Sequence, residues 1–210
     1  MKFPNFAYER KLWAKGNSVV TGADEVGRGS FAGPVVAACV VFPRGIKIPG
    51  DIKIDDSKKL SAKKRGISSV WIKENSLAWG IGEVPVGLIN RIGMAKATLA
   101  AFRRAVANTK AKIDFLLMDA FYIPFVKGIR RKNQLAIIDG DAKCFSIAGA
   151  SIIAKVYRDA LMQKLGRDPK YRNYDWESNK GYGTKKHREA IEKYGLTRHH
   201  RKQFVAKLKN

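Results

Sequence analysis

The chain has 210 residues, 45% of them hydrophobic, which suffices for one large domain, or one domain with a modest extension, that buries a core without covalent staples; disorder throughout is excluded. Forty-one Lys and Arg against 18 Asp and Glu leave a net charge of +23 and a pI near 10.2. Self-repulsion on that scale calls for a polyanionic partner, and nucleic acid fits because neutralised phosphates release their counterions, although composition alone also admits a merely basic surface.

Cys39 and Cys144 lie in apolar surroundings without metal-type spacing, so a disulfide framework and a zinc site are excluded and two small buried hydrophobes are predicted. Met1–Arg10 is polar and aromatic rather than a signal peptide, and no apolar stretch is long enough for a bilayer. A soluble, cytoplasmic protein is expected.

Val19–Val26 and Val35–Phe42 are β-rich runs separated by Gly27-Arg28-Gly29 and Gly33-Pro34, a pattern that predicts antiparallel strands with a glycine-rich connection. Ser61 is placed to cap a helix reaching about Asn75. Leu77–Val84, interrupted by Gly80 and Gly82, is a predicted strand. From Val86 to about Asn108, Leu88, Ile92, Ala95, Leu99, Phe102 and Val106 recur at helical spacing. Ile113–Met118, ending at Asp119, and Ala136–Ile138 are predicted short strands, and Ile147–Leu165 is a helix whose Ala148, Gly149, Ala150 and Ser151 permit close packing. Beyond Arg167 the chain turns aromatic and basic, with short helical patterns at Lys185–Tyr194 and Arg201–Leu208. There is no repeat and no low-complexity linker. The alternation predicts an α/β core over residues 1–166 and a basic, aromatic helical extension over 167–210.

Asp24 and Glu25 sit inside an apolar strand pattern, where charge needs a reason. Asp119 ends a second apolar run, and Asp141 follows Gly140 just beyond a third. Carboxylates ending several core strands can converge at one sheet edge, and oxygen ligands of that kind suit Mg2+ or Mn2+, ions that activate water and stabilise a leaving oxygen in phosphodiester hydrolysis. Taken singly, each acid reads better as a cap or a strand end at the surface. Adjacent strand residues also point to opposite faces, so Asp24 and Glu25 share an ion only with a local bend or a backbone carbonyl as ligand.

Ala23-Asp24-Glu25-Val26-Gly27-Arg28-Gly29 followed by Ala32-Gly33-Pro34-Val35-Val36-Ala37-Ala38 resembles the opening signature of ribonuclease HII. Asp56-Ser57-Lys58-Lys59-Leu60-Ser61, Leu117-Met118-Asp119, Gly140-Asp141-Ala142-Lys143 through Arg158-Asp159, and Asn179-Lys180-Gly181-Tyr182-Gly183-Thr184 with the later His200-Arg201 and Phe204 resemble its remaining motifs, in family order from Ala23 to Phe204. The resemblance implies a ribonuclease H-like mixed β-sheet flanked by helices, with a C-terminal helical extension. It implies an endoribonuclease that hydrolyses the RNA strand of RNA–DNA hybrids and cuts 5′ of ribonucleotides embedded in duplex DNA, by metal-assisted attack of water that leaves 3′-hydroxyl and 5′-phosphate ends. It maps the catalytic, Mn2+- or Mg2+-binding carboxylates to Asp24, Glu25, Asp119 and Asp141, and it favours a monomer.

Substrate contacts are expected from Gly27-Arg28-Gly29, which in the family meets the 2′-hydroxyl that distinguishes RNA from DNA, from Lys58 and Lys59 on phosphates, and from Tyr182 against a sugar or base. Asp159, four residues after Lys155, is read as a structural ion pair. His199 and His200, in the basic tail, are read as backbone or phosphate contacts. The chain departs from the family pattern at Asp139, Gly149 and Ser30-Phe31, none of which removes a candidate ligand. The competing readings are a non-catalytic basic protein that coats nucleic acid and a DNA-junction nuclease of the same fold. The first leaves the spaced carboxylates unexplained; the second has no use for a ribose reader.

Overall fold

The computed structural model describes residues 3–206. Three strands, β1 (Val20–Val26), β2 (Val35–Val41) and β3 (Ala78–Val84), form an antiparallel meander. Two more, β4 (Phe115–Asp119) and β5 (Gln134–Ile137), add in parallel beside β1, giving the order β3-β2-β1-β4-β5. β2 is buried on both faces, so its sequence reads as an unbroken apolar run.

Nine helices are described: α1 (Ala7–Ala14), α2 (Ala62–Asn75), α3 (Val86–Ile92), α4 (Met94–Asn108), α5 (Gly140–Lys143), α6 (Phe145–Arg167), α7 (Trp176–Asn179), α8 (Lys185–Tyr194) and α9 (Lys202–Val205). Period-two alternation assigns the sheet to two cores. Val35, Ala37 and Cys39 meet Ala97, Ala101 and Phe102 of α4, while Val36, Ala38 and Val40 meet Ile72 of α2 and Ala148, Ile152 and Ile153 of α6. Leu12 of α1 closes a third cluster with Val20, Leu117 and Ile147.

Glycine sets how closely helix and sheet approach. A Cβ on Gly22 would run into the α6 backbone at Ser146 and Ile147, and one on Gly80 or Gly82 into the α4 backbone. The glycines that interrupt the β3 pattern are therefore the seat of α4. That seat also corrects two sequence expectations. The predicted helix from Val86 to Asn108 is two helices, broken at Gly93, whose φ of 80° is left-handed. The buried stripe of α4 is Ala97, Thr98, Ala101, Phe102 and Ala105; Leu88, Ile92, Leu99 and Val106 flank it half-buried, and Ala95 is exposed. Small residues fill the seam because the helix lies nearly on the strand backbone.

Cys144 is buried as expected, yet its surroundings are not simply apolar. The carboxylate of the buried Glu9 on α1 accepts hydrogen bonds from the Ser146 N–H (2.8 Å), the Ser146 hydroxyl (2.7 Å) and the Cys144 thiol (3.2 Å). It caps the first turn of α6, where unpaired N–H groups and the helix dipole favour negative charge. Gly149 gives room to Phe42, whose ring carbons lie 3.0 and 3.1 Å from where a Cβ would stand.

The C-terminal helices pack through Tyr174, Trp176 and Ala190 onto Ala32 and Met162. The chain there pairs with the β1–β2 connection: Phe31 N–H donates to Gly181 O (2.8 Å), Gly33 N–H to His199 O (2.9 Å) and Arg201 N–H to Phe31 O (2.8 Å). The helix predicted over Arg201–Leu208 corresponds to α9, Lys202–Val205, and the last two residues of the predicted range lie outside the described residues. Among the described residues no helix is long and apolar enough to cross a membrane.

Gly22→Ala and Gly66→Ala make a contrasting pair. The first forces a methyl into helix backbone and is expected to destabilise by about 1–3 kcal/mol or more. Gly66, inside α2, faces open space without a positive φ, so alanine is expected to stabilise by about 0.5–1 kcal/mol through helix propensity. Urea denaturation of the two variants checks both signs.

Candidate active site

β1 carries Asp24 and Glu25 into the molecule, and the parallel register Ala23↔Met118 sets Asp119 at the end of β4 alongside them. Asp119 Oδ1 accepts the Gly140 N–H (2.8 Å), which ties the strand end to α5 and brings Asp141, in the first turn of α5, to the same place. Asp24, Glu25, Asp119 and Asp141 line one cavity of about 510 Å³, together with Lys58 and Tyr182. The structure thus gathers six of the predicted site residues.

The carboxylates are held against their own electrostatics. Burial first, then the charge of Glu25, pushes Asp24 well above the usual carboxylate range, while Ser151 opposes the shift by hydrogen bonding. Glu25 is also raised by burial; Arg28, 3.3 Å away, offsets part of that. Asp141 is raised by burial and by Asp56 and Asp119, with Lys58 opposing. For Lys58 burial acts downward, but Asp56, Asp141 and Asp24 outweigh it and hold the ammonium above its ordinary value. Among the described residues no three Asp, Glu, His or Cys side chains stand as a set ready to hold an ion. Asp24 and Glu25 leave β1 on opposite faces, and like charges at this depth repel.

Four predicted residues lie outside this cavity. Gly27, Arg28 and Gly29 form the turn directly after Val26, which lines it. Gly27 has φ 89°, and a Cβ there would strike the Arg158 guanidinium. Lys59 faces an adjoining groove of about 520 Å³ that shares Lys58, Asp119 and Asp141 with the main cavity, and it sits 3.9 Å from Asp55. A larger open groove of about 1,050 Å³ follows the outer edge of β3, far poorer in acids.

The sequence reading missed Ser57, Arg65, Ser151 and Lys155 as cavity residues. The buried Ser57 and Ser151 hydroxyls are 2.9 Å apart and join the Asp56–Leu60 segment to α6. A serine in the middle of the apolar stretch Ile147–Ile153 was the available signal. Asp159 forms the structural ion pair expected with Lys155, at 2.8 Å and largely buried, and also lies 3.9 Å from Arg65, linking α6 to α2. Asp139 faces solvent beside Lys143 (3.6 Å). Ser30 is buried, and Phe31 packs on Gly183.

The phosphate role considered for His200 is corrected by burial. His187 Nδ1 bonds to Tyr182 O (2.8 Å), and its Nε2 accepts from Trp176 (3.0 Å) and lies 3.1 Å from His200 Nε2. His200 Nδ1 accepts the Thr197 N–H (2.9 Å). That pattern requires two neutral rings, and burial lowers both pKa values, His200 to about 4. The pair holds the backbone of Tyr182, whose ring borders the cavity.

A sequence model of the family described as ribonuclease HII matches residues 21–209. The chain belongs to the ribonuclease HII family. It is 45% identical over 208 residues to ribonuclease HII of Caldanaerobacter subterraneus subsp. tengcongensis, covering 99% of this chain and 81% of that protein. In fold it is similar to the crystal structure of ribonuclease H2 from Pyrococcus horikoshii OT3, with a TM-score of 0.73 at 23% identity over 90% of this chain and 96% of that one. It is also similar to Bst-RNase HIII in complex with Mn2+, with a TM-score of 0.69 at 19% identity over 92% and 71% of the two chains. The ribonuclease H-like mixed sheet with C-terminal helices is thereby established.

The raised pKa of Asp24 has a stability consequence in this ribonuclease HII chain. A carboxyl whose folded value stands above its unfolded value, about 4, binds its proton more tightly when folded. Its contribution is favourable below the unfolded value and is lost as pH rises through the folded one. Asp24→Asn is therefore expected to raise the melting temperature of the metal-free protein at neutral pH, and to lose its advantage near pH 3. The same variant is expected to lose at least ~10²-fold in cleavage rate. Calorimetry across pH, beside single-turnover cleavage, checks the opposed signs.

Proposed function

We infer that this chain is a divalent-metal-dependent endoribonuclease that hydrolyses the RNA strand of RNA–DNA hybrids and cuts 5′ of ribonucleotides within duplex DNA, leaving 3′-hydroxyl and 5′-phosphate ends. Ribonuclease H activity follows from membership of the family. The observation that carries the site assignment is the convergence of Asp24, Glu25, Asp119 and Asp141 with Lys58 and Tyr182 in one cavity of a protein of charge +23.

The donor set fits a hard cation: four carboxylates, no thiolate or imidazole in the lining, and three of the acids raised by burial or by each other's charge. Asp24, Glu25, Asp119 and Asp141 would hold Mn2+ or Mg2+, which when bound supplies water activation and stabilises the charge on the leaving oxygen. Lys58, kept protonated by its acidic neighbours, neutralises a backbone phosphate next to the cut. The Tyr182 ring lies against the sugar or base beyond it. Gly27-Arg28-Gly29, at the mouth, reads the 2′-hydroxyl, which serves recognition and not attack. The protein works as a monomer in the cytoplasm.

A labelled DNA duplex with one ribonucleotide, incubated with and without Mn2+, is expected to be cut only with metal, 5′ of the ribonucleotide. Binding without metal-dependent cleavage would establish the coating protein instead. Cutting of ribonucleotide-free junctions would establish the junction nuclease.

Placement also separates the two lysines. Lys58→Ala is expected to make the slope of log affinity against log salt shallower by about 0.9. Lys59→Ala, with its ammonium beside Asp55 outside the cavity, is expected to change it much less. Binding titrations at four salt concentrations decide between them.

A further inference from the structure

Arg158 and Arg201 are two fully buried guanidinium groups, and among the described residues no carboxylate lies within salt-bridge distance of either. An uncompensated buried charge is expensive, so its partners must be unusually well organised. They are backbone carbonyls. Arg201 donates to Gly27 O (2.6 Å), Arg28 O (2.9 Å), Ser30 O (2.9 Å), Gly33 O (2.9 Å) and Pro34 O (2.9 Å). Arg158 donates to Ala32 O (3.1 Å), Pro34 O (2.9 Å) and Lys180 O (3.0 Å). One side chain from the C-terminal segment therefore gathers five carbonyls of the connection between β1 and β2.

The geometry of the peptide bond carries the argument further. A trans peptide is planar, with its C=O and N–H pointing in opposite directions. Gly27 O shares its peptide plane with the Arg28 N–H, and Arg28 O with the Gly29 N–H. Drawing both oxygens inward onto Arg201 turns both N–H groups outward. Among the described residues neither N–H has a hydrogen-bond partner, whereas the Ser30 and Phe31 N–H groups are used within the fold, on Gly27 O and Gly181 O. A cation against the carbonyl oxygens also polarises the two amides and strengthens them as donors.

We propose that Arg201 is the positioning residue for ribose recognition: from the opposite side of the turn it aims the Arg28 and Gly29 N–H groups at the sugar hydroxyl, and so sets the preference for a ribonucleotide. This rests on the reading of the turn as the ribose reader. Lysine keeps the charge but lacks the planar fork, and it cannot span five carbonyls spread along the loop.

The test compares KM for a single-ribonucleotide duplex with Ki for its all-DNA twin as competitor, in Mn2+, for wild type and Arg201→Lys. The expected result is a KM raised about tenfold, the worth of one or two hydrogen bonds, with Ki unchanged. A folded Arg201→Lys that keeps the wild-type ratio of KM to Ki, or shifts both together, overturns the proposal. A wild-type KM no lower than Ki removes the ribose reading itself, a separate outcome. Should Arg201→Lys not fold, amide exchange in wild type decides: Arg28 and Gly29 N–H are expected to exchange freely alone and in the all-DNA complex, and to be protected by the ribonucleotide duplex in EDTA. Protection in the free protein overturns the proposal.

Discussion

Four carboxylates held together at the ends of β1 and β4 and the start of α5 define what the rest of this molecule must do. Burial and mutual repulsion raise three of them, so the arrangement opposes folding wherever they are ionised. The scaffold answers with packing that leaves the acids little freedom to separate. α6 lies directly on Gly22 of β1, the Gly140 N–H holds Asp119, and the Ser57–Ser151 contact brings Lys58 within the reach of Asp141 and Asp24. Glu9, on a helix remote in sequence, fixes the first turn of α6. Each device is a close approach or a hydrogen bond that positions a charge which would otherwise move away.

The same logic with the sign reversed governs the other side of the site. Arg158 and Arg201 are buried cations set among carbonyls, where the dipoles of the chain do the work of counterions. Burial and the charge of Arg158 lower Arg201 to about 9, still protonated at neutral pH. Gly27 is glycine because the Arg158 guanidinium occupies the space of its Cβ. The C-terminal segment is therefore part of the site's architecture and not an appendage, since Arg201, His187 and Gly181 reach the β1–β2 connection or Tyr182 from it.

The sheet and most helices were legible from sequence because their signals are local. Ser61 caps α2 through the Lys64 N–H, and the unbroken apolar run of β2 matches its burial on both faces. The α3–α4 break was misread because Gly93 interrupts a pattern that otherwise continues in helical period. Among the acids, Asp24 and Glu25 stood out as charges inside an apolar strand pattern, and Asp119 and Asp141 as charges at or just beyond the ends of apolar runs. Ser57, Arg65 and Ser151 did not, since each meets a partner tens of residues away, and Lys155 was legible only through its pairing with Asp159 four residues on. Arg158 and Arg201 were illegible as buried groups for a related reason: in a chain with 41 basic residues, nothing local separates two buried arginines from the solvated ones.

A basic protein with an acidic cavity resolves an apparent contradiction in its charge. The overall field of +23 draws any nucleic acid to the surface and discriminates little, because phosphate contacts position without specifying. At short range the carboxylate cluster reverses the sign, and under the proposed function it repels the scissile phosphate. Only a neutralising cation makes the two compatible, so affinity for the polyanion and competence to cut it reside in different charges. Lys58 stands at the boundary, coupled to Asp56, Asp141 and Asp24, and its ammonium offsets their repulsion without removing the need for metal. Discrimination must then come from uncharged groups, which salt and net charge leave nearly untouched. On the proposal made above, the two outward N–H groups of the Gly27-Arg28-Gly29 turn are such groups, and Arg201, which the solvent does not reach, holds them.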